Sequence, residues 1–227
     1  MFLLLSHFHV ISVDENTVVL LLAVPEPLAF YPLNARYKAA EKENRQPMGI
    51  LGDVAITNGP YNEPGGAYMF YGTGSSYIEF PNIGGLNIQF PFTLMCWVQP
   101  GGQDGPLFSY RKDSIRVQIW IVGGKFNLIC VEAPPSGLLS AEVLPTGVWV
   151  HVVATYDSGV GSLYINGHLS VKDFFMPALF TPVIKEKVRM GVNGDDNRHF
   201  KGKIAEMKVY DVALNEAQIQ TSIRQGS

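Results

Sequence analysis

The chain has 227 residues and a formal net charge of −3, with 47% hydrophobic and only 16% charged residues. This composition supports a sizeable core and is too poor in charge for a disordered chain. The Lys and Arg residues form no dense cluster, which argues against a nucleic-acid partner. All-β sandwiches of about this length are routinely single domains.

The N-terminal segment, residues 1–27, is apolar but interrupted. MFLLL opens the chain, His7 and His9 follow, and a second apolar run, VVLLLAV, occupies residues 18–24. Because a secretory signal needs a basic start and one unbroken apolar run, two interpretations stay open. The segment is either a weak signal or an extra strand. No run reaches the roughly 18–20 apolar residues of a membrane span.

Residues 28–227 form one predicted domain whose pattern is β nearly throughout. Some runs alternate polar and apolar residues, and others are continuously apolar, as in buried strands. Gly123-Gly124 and Asn166-Gly167 separate pairs of runs and predict tight hairpins, the second with positive φ at both positions. This pattern predicts an all-β antiparallel sandwich or barrel. The predicted strands are 77–80, 92–98, 115–120, 126–131, 148–156, 162–165, 168–171, 188–192 and 204–210.

One short helix is predicted near the C-terminus. Asn215 is a suitable N-cap residue, and Gln218 stands where it can complete a capping box. Leu214 and Ile219 occupy the two positions of a hydrophobic staple. These four residues predict a helix that begins just after Asn215.

The tryptophans and cysteines lie in or beside apolar runs. Trp97 and Trp149 are expected to fill the core between the sheets, because each indole buries a large area. Trp120 shares a strand face with a glutamine and is expected to be more exposed. Cys96 and Cys130 are expected to be buried thiols, with a disulfide between them as the open alternative.

No catalytic residue is predicted. Glycoside hydrolysis needs two carboxylates about 5–10 Å apart, yet no predicted strand carries a closely spaced acidic pair. The G-x-S-x-G and H-E-x-x-H motifs are absent from the sequence. His151 lies in an apolar strand and is expected to be packed or hydrogen-bonded rather than catalytic.

Several short motifs, in order, resemble one known family. They are YPLN at 31–34, GGAYMFYG at 65–72, YIEFP at 77–81, FTLMCWV at 92–98, WVHVVATYD at 149–157, LYING at 163–167, MG at 190–191 and FKGKIAEMKVY at 200–210. Together they resemble a LamG-like jelly-roll domain of the concanavalin A-like, laminin G and pentraxin-related kind, over about residues 28–223. The resemblance implies a two-sheet antiparallel jelly-roll sandwich that belongs to an extracellular protein.

The loop at 193–197 is the candidate metal site. Asn193, Asp195, Asp196 and Asn197 offer the hard oxygen ligands that calcium prefers. The resemblance places this loop where pentraxins carry part of a calcium site. Asn-Gly-Asp is equally suited to an ordinary polar turn, so both interpretations stay open. Ala205 weakens the calcium hypothesis, because the family often has an acidic residue there.

The sequence and the resemblance predict a non-catalytic, extracellular recognition or adhesion module. Its expected partner is a glycan or an extracellular matrix protein, with calcium as an additional cofactor if the loop binds it. Two alternative hypotheses are a carbohydrate-active enzyme, either a glycosidase or a lyase, and a structural spacer, because one fold hosts many functions. Two carboxylates within about 10 Å on the concave sheet face would favour the enzyme.

Overall fold

The computed structural model describes residues 8–12, 18–83, 85–112, 115–131, 137–174, 187–194 and 196–225. Within these ranges the chain is almost entirely β, with one short helix, α1 (Glu216–Gln225). The strands are β1 (Phe8–Ser12), β2 (Val18–Leu22), β3 (Ala29–Tyr31), β4 (Ile50–Leu51), β5 (Val54–Thr57), β6 (Ala67–Tyr71), β7 (Ile78–Phe80), β8 (Phe92–Gln103), β9 (Gly105–Lys112), β10 (Ile115–Val122), β11 (Lys125–Val131), β12 (Gly137–Leu139), β13 (Val150–Asp157), β14 (Val160–Ile165), β15 (His168–Phe174), β16 (Val188–Met190) and β17 (Lys201–Tyr210).

Two antiparallel sheets form the sandwich. The seven-stranded sheet has the order β12-β11-β10-β9-β16-β7-β4, and the eight-stranded sheet has the order β15-β14-β13-β8-β17-β6-β5. The chain passes repeatedly from one sheet to the other, and β3 adds to β17 beside the second sheet. The prediction of a two-sheet antiparallel jelly-roll sandwich with a short C-terminal helix is therefore confirmed. Within residues 1–27, β1 and β2 pair with each other in a separate hairpin.

The core lies between the sheets and is built by alternation along each strand. Cys96 of β8 pairs with Val152 of β13, and both side chains are fully buried in the core. Phe108, Phe126 and Cys130 face them from the seven-stranded sheet. Both cysteines are free thiols, as predicted. Burial raises the pKa of each thiol, so both are protonated and unreactive in the folded protein.

The tryptophans correct the sequence prediction. Trp97 lies between Cys96 and Val98, which face the core, so its own side chain points outward and is only half-buried. Trp149 lies just before β13 and is also half-buried. Trp120, expected to be exposed, is instead buried. The predictions for all three were wrong, because indole size does not decide which face of a strand a residue occupies.

The local predictions at the turns and the helix are confirmed. Asn166 and Gly167 have φ values of 51° and 82° between β14 and β15, as a type I′ turn requires. The N–H of Gln218 donates to Asn215 Oδ1 at 3.0 Å, and the N–H of Asn215 donates to Gln218 Oε1 at 3.0 Å. Leu214 and Ile219 of the predicted staple are both buried in one cluster.

Strand β9 has no counterpart among the predicted strands, although it is central to the seven-stranded sheet. Its register with β10 shifts between Ile119 and Trp120, so the strand contains a β-bulge. As a result, the consecutive residues Leu107 and Phe108 are both in the core. The bulge breaks the period of two on which strand prediction depends.

Candidate functional site

The outward side of the seven-stranded sheet carries buried polar residues. In β10, Ile119 faces the core, so Gln118 and Trp120 point away from it. Gln118 is nevertheless only 1% exposed and Trp120 only 2% exposed. Ser109 of β9 lies opposite Gln118, and Asn127 of β11 lies opposite Trp120. These four residues, Ser109, Gln118, Trp120 and Asn127, are called the polar face below.

Hydrogen bonds link three residues of the polar face in a chain and hold the fourth, Asn127, against the neighbouring strand. Trp120 Nε1 donates to Gln118 Oε1 at 2.9 Å, and Gln118 Nε2 donates to Ser109 Oγ at 2.8 Å. Asn127 Nδ2 donates to the carbonyl of Leu138 at 3.2 Å. Because a buried polar group without a partner is costly, these bonds hold each side chain in one orientation.

A charged pair covers Trp120. The Arg198 guanidinium carbon lies 4.8 Å from the centroid of the Trp120 ring, a cation–π distance. Arg198 Nε and the Arg198 backbone N–H both donate to Asp196 Oδ1 at 2.9 Å. The hydrogen bond from Arg198 lowers the pKa of the Asp196 carboxyl, which is therefore ionised at neutral pH. The ion pair with Asp196 therefore holds the guanidinium group over the indole.

The predicted metal loop lies beside this pair. The Asp196 backbone N–H donates to the Asn193 carbonyl at 3.1 Å, and Asn193 is buried. Asn197 is exposed, and Asp195 lies outside the described residues. Arg198 already occupies the Asp196 carboxylate, so a cation would have to displace a guanidinium there. The fit to calcium is therefore partial, and calcium binding at 193–197 stays a prediction.

Among the described residues, no three His, Cys, Asp or Glu side chains are grouped so that they could hold a metal ion. Sequence analysis missed Arg198 as a functional candidate. The D-x-R spacing of Asp196 and Arg198 was the available signal, but only the fold shows that Trp120 lies beneath the guanidinium.

A second charged cluster extends the polar face along the sheet. Strand register places Glu79, Arg189, Ser109 and Gln118 in one row across β7, β16, β9 and β10. Arg189 Nε donates to Glu79 Oε2 at 2.7 Å, and Lys187 Nζ lies 2.9 Å from Glu79 Oε1. Burial tends to raise the pKa of Glu79, but the hydrogen bonds from Lys187 and Arg189 outweigh burial and lower it.

Both carboxylates beside the polar face are therefore ion-paired. Their ionised form is favoured, and their cationic partners reach solvent: the side chains of Lys187, Arg189 and Arg198 are 65%, 40% and 48% exposed. The arrangement combines a rigid polar row with an exposed rim of N–H donors. It suits the recognition of a ligand that is rich in oxygen acceptors.

The structure also places the remaining sequence candidate, His151, on the eight-stranded sheet. It is buried and meets Trp97 edge-on, with a ring-centroid distance of 5.1 Å. The expectation of a packed histidine is confirmed. Burial lowers the pKa of His151 to about 3, with a smaller contribution from Lys208, so the imidazole is neutral at physiological pH.

Comparison with known proteins yields a family match. Residues 72–220 match the model Laminin_G_3, described as the concanavalin A-like lectin/glucanases superfamily. Pappalysin-1 of Mus musculus is 28% identical over 56% of this chain. The aligned part is only 9% of pappalysin-1, so the chain spans about a tenth of that curated relative.

Solved structures share the fold at low sequence identity. Domain 4 of AbnA, a GH43 extracellular arabinanase from Geobacillus stearothermophilus solved with arabinotriose, has a TM-score of 0.69 and 24% identity, covering 86% of this chain and 97% of that one. The botulinum neurotoxin serotype G binding domain has a TM-score of 0.69 and 16% identity, covering 88% and 51% of the two chains. A pentraxin from Limulus polyphemus has a TM-score of 0.56 and 17% identity, covering 67% and 78%.

These structural likenesses show the fold, and the family model extends over well over half of the chain. The two-sheet sandwich agrees with that match. The chain belongs to the concanavalin A-like lectin/glucanases superfamily.

Proposed function

We propose that this domain is a non-catalytic recognition module that binds a glycan at the exposed cationic rim of the polar face. One observation carries the proposal: the outward side of a sheet buries a hydrogen-bonded row of polar side chains around an indole. Ordinary outward strand faces leave such side chains in water. A fixed polar row is typical of a site that orients a ligand.

Arg198 is the proposed direct contact. Its guanidinium has five N–H donors, and Asp196 engages only one side of the group. The remaining donors belong to a half-exposed side chain that lies over the Trp120 ring. Sugar hydroxyl and ring oxygens are acceptors, so a glycan can bind without any further ordering of this side chain.

The relatives support a ligand of this class. The AbnA domain with the same fold was solved in complex with arabinotriose, and the neurotoxin neighbours are binding domains. We also propose an extracellular location for this protein, because the arabinanase that contains the similar domain is extracellular. Among helices of the described ranges, none is long and apolar enough to cross a membrane.

The test is glycan binding by matched variants. Glycan arrays identify a bound oligosaccharide, and calorimetry then compares the wild-type protein with Arg198→Met and Gln118→Leu. We expect each variant to bind at least tenfold more weakly, about 1.4 kcal/mol. Lys203→Met, on the eight-stranded sheet, is the control and keeps full affinity. Equal glycan binding by all four proteins would remove the polar face from consideration, and binding only to matrix proteins in pull-downs would replace the glycan.

The charge state of the carboxylates supports a binding role over catalysis. A glycosidase needs a general acid with a raised pKa, whereas ion pairs lower the pKa of both Glu79 and Asp196. Incubation with an oligosaccharide panel, including arabinan fragments, tests this choice. Turnover that disappears in Glu79→Gln or Asp196→Asn would establish the enzyme in place of the binding module.

Calcium at the 193–197 loop is a separate part of the proposal. If the loop binds calcium, a hundredfold excess over the dissociation constant stabilises the fold by about 2.7 kcal/mol. Asp195→Ala combined with Asp196→Ala should then abolish the calcium-dependent rise in melting temperature. A wild-type melting temperature that is the same in calcium and in chelator would identify the loop as a turn only.

A further inference from the structure

A cleft lies on the opposite side of the molecule from the polar face. It has a volume of about 170 Å³ and lies between β3, the segment 42–45, β17 and the end of α1. Phe30, Lys42, Lys208 and Ser222 are among its lining residues. Met207 and Val209 belong to the core, so Lys208 between them points outward into this cleft.

Lys208 is buried with little compensation. Its side chain carries a potential charge, yet the residue is only 8% exposed. Its ammonium has three donors, and it has one long hydrogen bond, from Nζ to Ser222 Oγ at 3.3 Å. Burial lowers the pKa of Lys208, Glu206 opposes this effect, and the charge of Lys42 adds to it. Buried charges are normally paired, so this ammonium is suited to an incoming anion.

A second lysine shares the same aromatic ring. The Nζ atom of Lys42 lies 5.1 Å from the Phe30 ring centroid, and the Nζ atom of Lys208 lies 4.9 Å from it. No carboxylate in the described part of the chain forms an ion pair with either lysine. Two cations beside one ring repel each other, and an anion between them removes that cost.

Buried Glu41 fixes the segment that carries Lys42. Glu41 Oε1 accepts the backbone N–H of Phe30 at 3.2 Å and Arg45 Nη2 at 2.8 Å. The backbone N–H of Lys42 donates to the Phe30 carbonyl at 2.8 Å. Arg45 is thereby neutralised, so Lys42 and Lys208 are the two cations of the cleft that form no ion pair among the described residues.

We propose that this cleft binds one small oxyanion group, a sulfate, phosphate or carboxylate, between Lys42 and Lys208. The site is independent of the glycan-binding proposal, because it lies on the other sheet. Glu26 and Glu43 stand exposed at the rim of the cleft. Their charges repel an extended polyanion, so the cleft selects a single acidic group.

The test is an NMR titration of the amide signals with sodium sulfate, sodium phosphate or sodium acetate, each against sodium chloride at equal ionic strength. We expect saturable shifts at Lys42, Lys208 and Ser222 with at least one of the three oxyanions. Sulfate and phosphate without acetate would identify a tetrahedral group, and acetate alone would identify a carboxylate.

Three variants make the result specific. Lys42→Met and Lys208→Met should each weaken oxyanion binding at least tenfold, whereas Lys203→Met on the same strand should not change it. Lys208→Met should fold with an unchanged or higher melting temperature, because it removes a buried charge. No saturable shift with any oxyanion, or equal shifts in all variants, would overturn the proposal.

Discussion

The outward sides of the two sheets bury their residues in different ways. On the eight-stranded sheet, Met95, Val153 and Tyr210 pack beneath α1, where Leu214 and Ile219 complete an apolar cluster. On the seven-stranded sheet, Gln118 and Ser109 are buried instead, and hydrogen bonds take the place of apolar contacts. The helix excludes water from part of one side, whereas hydrogen bonds order the buried polar groups on the other side.

The difference indicates which side contributes more to the stability of the fold, and it separates that side from the one that we propose for ligand recognition. Burial of apolar area contributes directly to the free energy of folding. A buried polar network contributes little net stability, because its hydrogen bonds mainly replace those made to water. We therefore expect substitutions under α1 to affect stability most, and substitutions on the polar face to affect binding most.

The largest expected effect is on the helix side. Ile219→Ala leaves a cavity beneath α1 and should lower the free energy of unfolding by about 2–5 kcal/mol. Urea denaturation measures the change, with exposed Arg224→Ala as the control that should stay within about 0.5 kcal/mol. A cost below about 1 kcal/mol for Ile219→Ala would mean that the helix is not a structural cover, and the contrast between the two sides would fail.

The next effect concerns the polar face. Gln118→Leu leaves the Trp120 N–H and the Ser109 hydroxyl without their partner and should cost about 1–3 kcal/mol in urea denaturation. In a Ser109→Ala background the same change should cost less, because the Ser109 hydroxyl that would lose its partner is already absent. Strictly additive costs in this double-mutant cycle would show that the row does not act as one network.

His151 sharpens the comparison through pH, because it is a buried titratable group on the eight-stranded side. Its pKa is about 3 in the folded protein against an ordinary 6.5. The unfolded chain therefore binds the extra proton between these values. The contribution of His151 to the free energy of unfolding is fully present above pH 6.5. It is lost as the pH falls toward 3, by up to about 1.4 kcal/mol per pH unit.

Urea denaturation between pH 7 and pH 4 measures this loss. His151→Gln cannot titrate, so its stability should fall less steeply than that of the wild-type protein over the same range. Parallel pH profiles for the two proteins would show that His151 gains a proton without penalty in the fold.

The smallest expected effect is at the cover of Trp120. Asp196→Asn removes an ion pair that is partly exposed to solvent, and such pairs contribute only about 0.2–1 kcal/mol. We expect a small loss of stability together with a changed Trp120 fluorescence, since Arg198 is no longer held over the indole. If Asp196→Asn lowered the free energy of unfolding by more than about 2 kcal/mol, the ion pair would be a main contributor to the stability of the fold.

Local sequence signals predicted local structure well. The capping residues of α1 and the Asn166-Gly167 turn interact within a few positions of each other, so their geometry depends on nearby residues alone. The order of the motifs along the sequence also predicted the sandwich fold. Strand β9 was missed because its bulge depends on pairing with β10, which the local pattern does not contain.

The candidate site was predicted only in part. The composition of the polar loop at 193–197 was enough to predict it as a candidate site. Arg198 is a candidate only because it lies over Trp120, which is remote in sequence. The burial of Gln118 likewise depends on what lies across β9 and β11. Site residues that act through long-range contacts leave no spacing pattern for sequence analysis to detect.

The two free cysteines can report on the separation of the two sheets, because their thiols react only when they become accessible. Cys96 lies in one sheet and Cys130 in the other, and both point into the shared interior. A thiol reagent can reach neither without separation of the sheets. If the sheets separate as a unit, both sites are alkylated at one rate. If an edge of the seven-stranded sheet frays first, Cys130 reacts ahead of Cys96, and the order of labelling reveals the weaker half.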